Sequence, residues 1–161
     1  MATETLKFKL ELYSTYWNDN VPSAEILIND VPVYKDFIKG TKEKPDVIKF
    51  EYACDEGKDY KLTINRQNKG KNDTVINEKG DILHDQLLNI KYIEIDEIDI
   101  GTLVFQGVYT PEYAEPWATQ QREAGVDLPK TLKNVTQMGH NGTWSLGFSS
   151  PFYIWLLENL Y

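Results

Sequence analysis

The chain has 161 residues, the size of one domain, and its 25 acidic against 17 basic side chains give a net charge of −8. That balance argues against an affinity built on phosphate neutralisation, so nucleic acid is not an expected partner. A single cysteine leaves no disulfide framework or Cys-based zinc site, and two histidines are too few for a His-rich metal centre. No apolar run reaches the roughly 20 residues of a membrane span, and the opening MATETLKFKLEL lacks the apolar core of a secretory signal, so no membrane partner is expected.

Before residue 110 the hydrophobic period is two. Leu6, Phe8, Leu10 and Leu12 alternate with Lys7, Lys9 and Glu11, the pattern of a half-buried strand. Ile26 and Ile28 belong to a second strand, and Asn29-Asp30 supplies a turn into Val31, Val33 and Tyr34. Val47, Lys49 and Glu51 oppose Ile48, Phe50 and Tyr52 in a third, and Tyr60, Leu62 and Ile64 mark a fourth. Asn77-Glu78-Lys79-Gly80 reads as a hairpin turn with glycine in the left-handed position. The run from Ile90 through Tyr92, Ile93, Ile95, Ile98 and Ile100 is a strand pair or one bent strand, and Thr102 to Thr110 continues the strand pattern. Seven or eight short strands without intervening helices predict an all-β fold, an antiparallel β-sandwich of jelly-roll type. A parallel sheet would need crossover helices, and none fits the gaps.

After Pro111 the texture changes. The last 61 residues hold 10 of the 20 aromatic rings but only 3 basic and 5 acidic side chains. The expected organisation is therefore a β-sandwich over 1–110 and a C-terminal extension over 111–161, packing on the sandwich or on a neighbouring chain. Within the extension a helix is expected from Trp117 to Ala124, and a strand from Thr143 to Ser149 with Trp144, Leu146 and Phe148 on its apolar face. The end, SPFYIWLLENLY, has serine at a capping position and proline in the first helical turn. This helix is apolar on both sides, with Phe152, Trp155, Leu156 and Leu160 on one face and Ile154, Leu157 and Tyr161 on the other. It is either an ordinary core helix or one that meets a second chain; Phe152, Trp155, Leu156 and Leu160 are the candidate interface.

Candidate chemistry is sparse. Asp73, Asp81 and Asp85 lie in the oxygen-rich stretch KNDTVINEKGDILHDQLLNI, where they are turn residues or ligands of a calcium ion. Tyr16 and Trp17, beside Asn18-Asp19-Asn20, are candidates for stacking on a sugar ring, or loop aromatics folded onto the core. Asp96, Glu97 and Asp99 read as the solvated face of a strand, and Cys54, His84 and His140 have no catalytic partner in view. No catalytic residues are assigned, and the chain is not expected to be an enzyme.

Residues 6–101 resemble the calcium-dependent xylan-binding type of carbohydrate-binding module. The similarity runs through AEILINDVPVY, a strand of the KLTINRQN type, an acidic loop, and DQLLNIKYIEIDEIDIG, where Asp85, Leu88 and Ile90 fall on an acidic loop end and buried strand positions. The family's Asn-Asp pair is here Asn65-Arg66, arginine standing in place of a carboxylate. The segments TVINEKGDILHDQLLNI and SPFYIWLLENL are similar to small virion proteins of large tailed bacteriophages. The resemblance implies a non-enzymatic structural or decorating subunit of a virion, in tail, baseplate or capsid. Such a subunit would be made in the host cytoplasm and would pair with other virion proteins or copies of itself. It implies, as the alternative, a calcium-dependent module for surface glycan.

Overall fold

Leu6, Phe8, Leu10 and Leu12 build the longest strand, β1 (Thr3–Thr15), with all four side chains buried. The structure, a computed structural model, describes residues 2–160. After β1 come β2 (Ser23–Ile28), β3 (Val31–Phe37), β4 (Asp46–Asp55) and β5 (Asp59–Gln67). A small hairpin of β6 (Val75–Ile76) and β7 (Ile82–His84) leads to β8 (Leu87–Ile95) and β9 (Ile98–Asp99). A 3-10 helix, Gly101–Gln106, precedes β10 (Val108–Pro111) and α1 (Trp117–Glu123). The chain then runs through β11 (Leu132–Lys133), β12 (Gln137–Met138), β13 (Gly142–Ser149) and α2 (Phe152–Leu160).

Every strand pairing is antiparallel, and the strands form two main sheets, as the period-two pattern requires. The first has the order β12-β8-β1-β4, with β9 paired to β8; the second has the order β11-β10-β13-β5-β2-β3. The inner faces meet in one core, where Phe8 of the first sheet lies 5.9 Å from Phe148 of the second. The protein is a β-sandwich.

Local chemistry explains most of the turns. Asn29 and Asp30 take φ of 47° and 66°, the left-handed pair that a two-residue hairpin between β2 and β3 needs. The isoleucine-rich run resolves into a hairpin, turning at Asp96 and Glu97. Within β8, Ile90 faces Leu12 and Tyr92 faces Glu11, so Lys91 is an extra residue. This bulge shifts the phase of the alternation and lets Ile90, Ile93 and Ile95 all reach the core.

The structure departs from the sequence reading in three places. Residues 101–106 are not strand: Gly101, at φ +56°, donates its N–H to the Asp99 carboxylate at 2.8 Å and turns the chain into the 3-10 helix. The boundary at 110 is not a structural division either. β13 lies between β10 and β5 in the middle of the second sheet, in register with β5 from Gly142↔Arg66 to Ser149↔Asp59. Residues 111–160 thus complete the sandwich, because β13, with Trp144, Leu146 and Phe148 buried, fills the place between β10 and the edge of β5 that β2 leaves open.

The candidate interface is the third correction. Phe152, Trp155 and Leu156 are buried in the chain's own core, and only Leu160 of the four is exposed. The open face of α2 is instead Tyr153, Ile154, Leu157 and Leu160; Tyr161 lies outside the described residues. Spacing at i, i+3 and i+4 defines a face but not what covers it. The cap is also different: the Phe152 N–H donates to the Glu4 carboxylate of β1 at 2.7 Å, and the Ser150 hydroxyl donates to the same oxygen. A carboxylate at this end suits the helix dipole. Among the described residues no helix is long and apolar enough to cross a membrane.

Two stability tests follow from this packing. Glu4→Ala should cost about 1–2 kcal/mol by removing the cap. Gly107→Ala should cost about 1–3 kcal/mol, since a Cβ there would lie 2.3–2.4 Å from the Trp144 indole. Urea unfolding checks both; a Gly107→Ala midpoint equal to wild type would mean that the indole can shift.

Candidate functional site

One end of the sandwich gathers four loops, because β1 and β5 finish there and β2, β8 and β13 start there. The loops are 16–22, 68–74, 85–86 and 139–141. Their centre is Arg66, the last but one residue of β5, whose side chain is fully buried. Its Nη1 donates to Asn141 Oδ1 at 2.9 Å and its Nη2 to the Gln86 carbonyl at 2.7 Å, while Nε has no hydrogen-bond partner among the described residues. Burial pushes this guanidinium down to about 10, and Tyr109, Asp85 and Asp73 oppose the shift, so it stays charged at neutral pH.

The aspartates surround this cation. Asp73, 2% exposed, accepts from Asn18 Nδ2 on Oδ1 at 2.9 Å, and on Oδ2 from Asn20 Nδ2 and the Gly70 N–H, both at 2.7 Å. Burial alone would raise its carboxyl, but the bonds from Asn18, Gly70 and Asn20, with Arg66 nearby, hold it below the usual range. Asp85 Oδ1 accepts from Lys69 Nζ at 2.7 Å, from the Thr74 hydroxyl at 2.7 Å and from the Gln86 N–H at 2.8 Å. Lys69 Nζ also donates to the Gly139 carbonyl. Asn141 ties this loop in: its Oδ1 accepts the Lys69 N–H at 2.9 Å and its Nδ2 donates to the Lys69 carbonyl at 3.1 Å.

Asp81 is elsewhere. Asp73 and Asp85 stand at the open end of the β6–β7 hairpin, whereas Asp81 is at its turn, exposed and bonded to Asn77. The three aspartates expected around a cation are therefore not brought together. Among the described residues no three His, Cys, Asp or Glu side chains form a metal-holding group. The donor set does not fit calcium, because Asp73 Oδ1 and Oδ2 and Asp85 Oδ1 already face N–H, O–H and ammonium groups of this chain.

Aromatic rings border the network on two sides. Trp17, 44% exposed, donates its Nε1–H to the Asp73 carbonyl at 3.1 Å and stacks on His84 with centroids 5.0 Å apart at 18°. Tyr16 beside it is 41% exposed. On the 139–141 side, His140 meets Tyr113 at 5.0 Å and Trp117 at 5.3 Å. The His140 backbone is held at both polar groups by the Tyr109 hydroxyl, which accepts its N–H at 2.9 Å and donates to its carbonyl. Burial, then the Lys69 charge, lowers the His140 imidazole below its ordinary value, which keeps it neutral at neutral pH. The result is a polar, hydrogen-bonding floor between exposed flat rings.

Tyr16, Trp17, Asp73 and Asp85 thus lie around one site, and Asp81 does not. Sequence reading missed Lys69, Asn141, His84, Tyr113, Trp117 and His140 as members. Their partners are up to 75 residues away, as in Arg66–Asn141, and no local spacing marks such pairs. Two clefts, of about 310 and 440 Å³, open elsewhere, one lined by Tyr92, Val104 and Phe105, the other by Lys7, Lys49 and Glu51; neither includes a residue of the network.

No protein-family model matches this chain, and no curated protein matches its sequence. Two solved structures are similar in fold. The vCBM60 module in complex with galactobiose has a TM-score of 0.49 at 11% identity, over 88% of this chain and 97% of that one. The selenomethionine form of vCBM60 has a TM-score of 0.50 at 10% identity, over 88% of this chain and 90% of that one. It is described as part of an evolutionary link, by circular permutation, between two families of calcium-dependent carbohydrate binding modules. At these identities the likeness is one of fold.

The depressed Asp73 carboxyl has a pH signature. A group lowered on folding contributes stability that is present above its unfolded value, about 4, and is lost as pH falls through the folded value. Thermal melts from pH 6 to pH 2 should show a steeper acid limb for wild type than for Asp73→Asn. Parallel limbs would remove Asp73 from the account.

Proposed function

We propose that the chain is a non-catalytic carbohydrate-binding module whose ligand lies against the loop end of the sandwich. The observation that carries this reading is the Trp17 ring, exposed yet held in place by its bond to the Asp73 carbonyl and its stacking on His84. A fixed flat ring presents a surface to the C–H face of a pyranose without an ordering cost at binding. Beside it Asn18 Nδ2, beyond its bond to Asp73, and Lys69 Nζ, beyond its bonds to Asp85 and Gly139, each keep one N–H suited to a hydroxyl group. The fold likeness to vCBM60 supports the class of ligand.

A virion subunit is the second reading, and it would have to use the open apolar face of α2 at Tyr153, Ile154, Leu157 and Leu160. The fold comparison adds nothing to it. Light scattering tests its self-assembling form: a mass of 18.6 kDa that does not change with concentration removes pairing between copies of this chain.

Affinity electrophoresis through gels containing xylan, galactan or a bacterial surface polysaccharide tests the glycan reading. At least one glycan should retard wild type. Trp17→Ala should weaken retention about tenfold, roughly 1.4 kcal/mol, with an unchanged circular dichroism spectrum. If none of the three retards a folded sample, the glycan reading fails.

A further inference from the structure

The acidic loops that suggest calcium already contain cations. Lys69 Nζ sits on the Asp85 carboxylate and on the Gly139 carbonyl, the two kinds of oxygen from which a calcium site is assembled. The Lys69 and Asp85 side chains are only 13% and 18% exposed, so their pairing is largely shielded from solvent. Arg66 provides a second positive charge, fully buried, on Asn141 Oδ1 and the Gln86 carbonyl, again oxygens of the kind that ligate calcium. Against these two cations stand two carboxylates, Asp73 and Asp85, and the local charge is already balanced.

We propose that Lys69 and Arg66 are the resident cations of this loop cluster, and that they order it in place of a divalent ion. Two consequences oppose calcium. Calcium takes six to eight oxygens, and here three donors already occupy Asp73 and three occupy Asp85 Oδ1. An entering ion would also displace an ammonium or a guanidinium from its partners inside the protein, leaving a buried charge unpaired. The loop order, and with it the placement of Trp17 through the Asp73 carbonyl, then depends on the chain alone. This inference concerns the metal and stands apart from the identity of any glycan.

The test uses the whole chain in two measurements. Calorimetric titration with calcium chloride to millimolar concentration should give only heats of dilution, and thermal melts with calcium and with EDTA should coincide. A saturable isotherm, or a melting temperature raised by calcium as mass action demands of a ligand bound to the native state, would overturn the proposal. The second measurement is the melt of Lys69→Met in EDTA. It should fall by roughly 5–10 °C as Asp85 loses its counterion. An unchanged melt would show that Lys69 orders nothing and would equally overturn it. Should the variant fail to fold, the two wild-type measurements decide by themselves.

Discussion

A guanidinium removed from water has to be compensated inside the protein, and Arg66 imposes that requirement on everything around it. Its position at the end of β5 sets the compensation at the rim of the sandwich, where loops rather than strands must supply it. Asn141 comes from the turn before β13, the Gln86 carbonyl from the turn before β8, and Asp73 and Asp85 contribute charge from both sides of the β6–β7 hairpin. Asn20 and Asn68 close the circuit: Asn68 Nδ2 donates to Asn20 Oδ1 at 2.9 Å, and Gln86 Nε2 donates to the Asn20 carbonyl at 3.0 Å. Four loops that share no sheet hydrogen bonds are thereby fixed relative to one another.

The exposed rings inherit their positions from this network. Trp17 is not part of the core, yet it is anchored through the Asp73 backbone, and Asp73 is anchored through Asn18, Asn20 and Gly70. On the opposite side His140 is held through Tyr109, a buried residue of β10, and turns its ring toward Tyr113 and Trp117. Flat rings thus border a polar floor, and the hydrogen bonds of that floor fix where the rings stand.

The start of β1 and the start of α2 meet at the other end of the sandwich. Glu4 near the start of β1 caps α2, and the Gly57 N–H donates to the Ser150 carbonyl at 2.7 Å, so the last helix is tied to the β4–β5 turn as well as to β1. With β13 inserted between β10 and β5, the C-terminal third closes the second sheet, caps one end and delivers His140 and Asn141 to the other. Removing it would open the core and take the 139–141 loop out of the network.

What the sequence determined by itself is the set of local periods and turns. Alternation at Leu6–Leu12, at Tyr60–Ile64 and at Trp144–Phe148 fixes strands, because neighbouring side chains must point to opposite faces, and Asn29-Asp30 fixes a hairpin by its tolerance of left-handed backbone. The helix at 152–160 is legible in the same way. The tertiary structure decided which face of α2 is covered, that β13 is a central strand, that Asp81 stands apart from Asp73 and Asp85, and that Lys69 and Arg66 neutralise those two. Each of these depends on partners brought together across tens of residues. Whether an aspartate is a ligand, a cap or half of an ion pair is set by the donors that face it in space, and local sequence does not encode them.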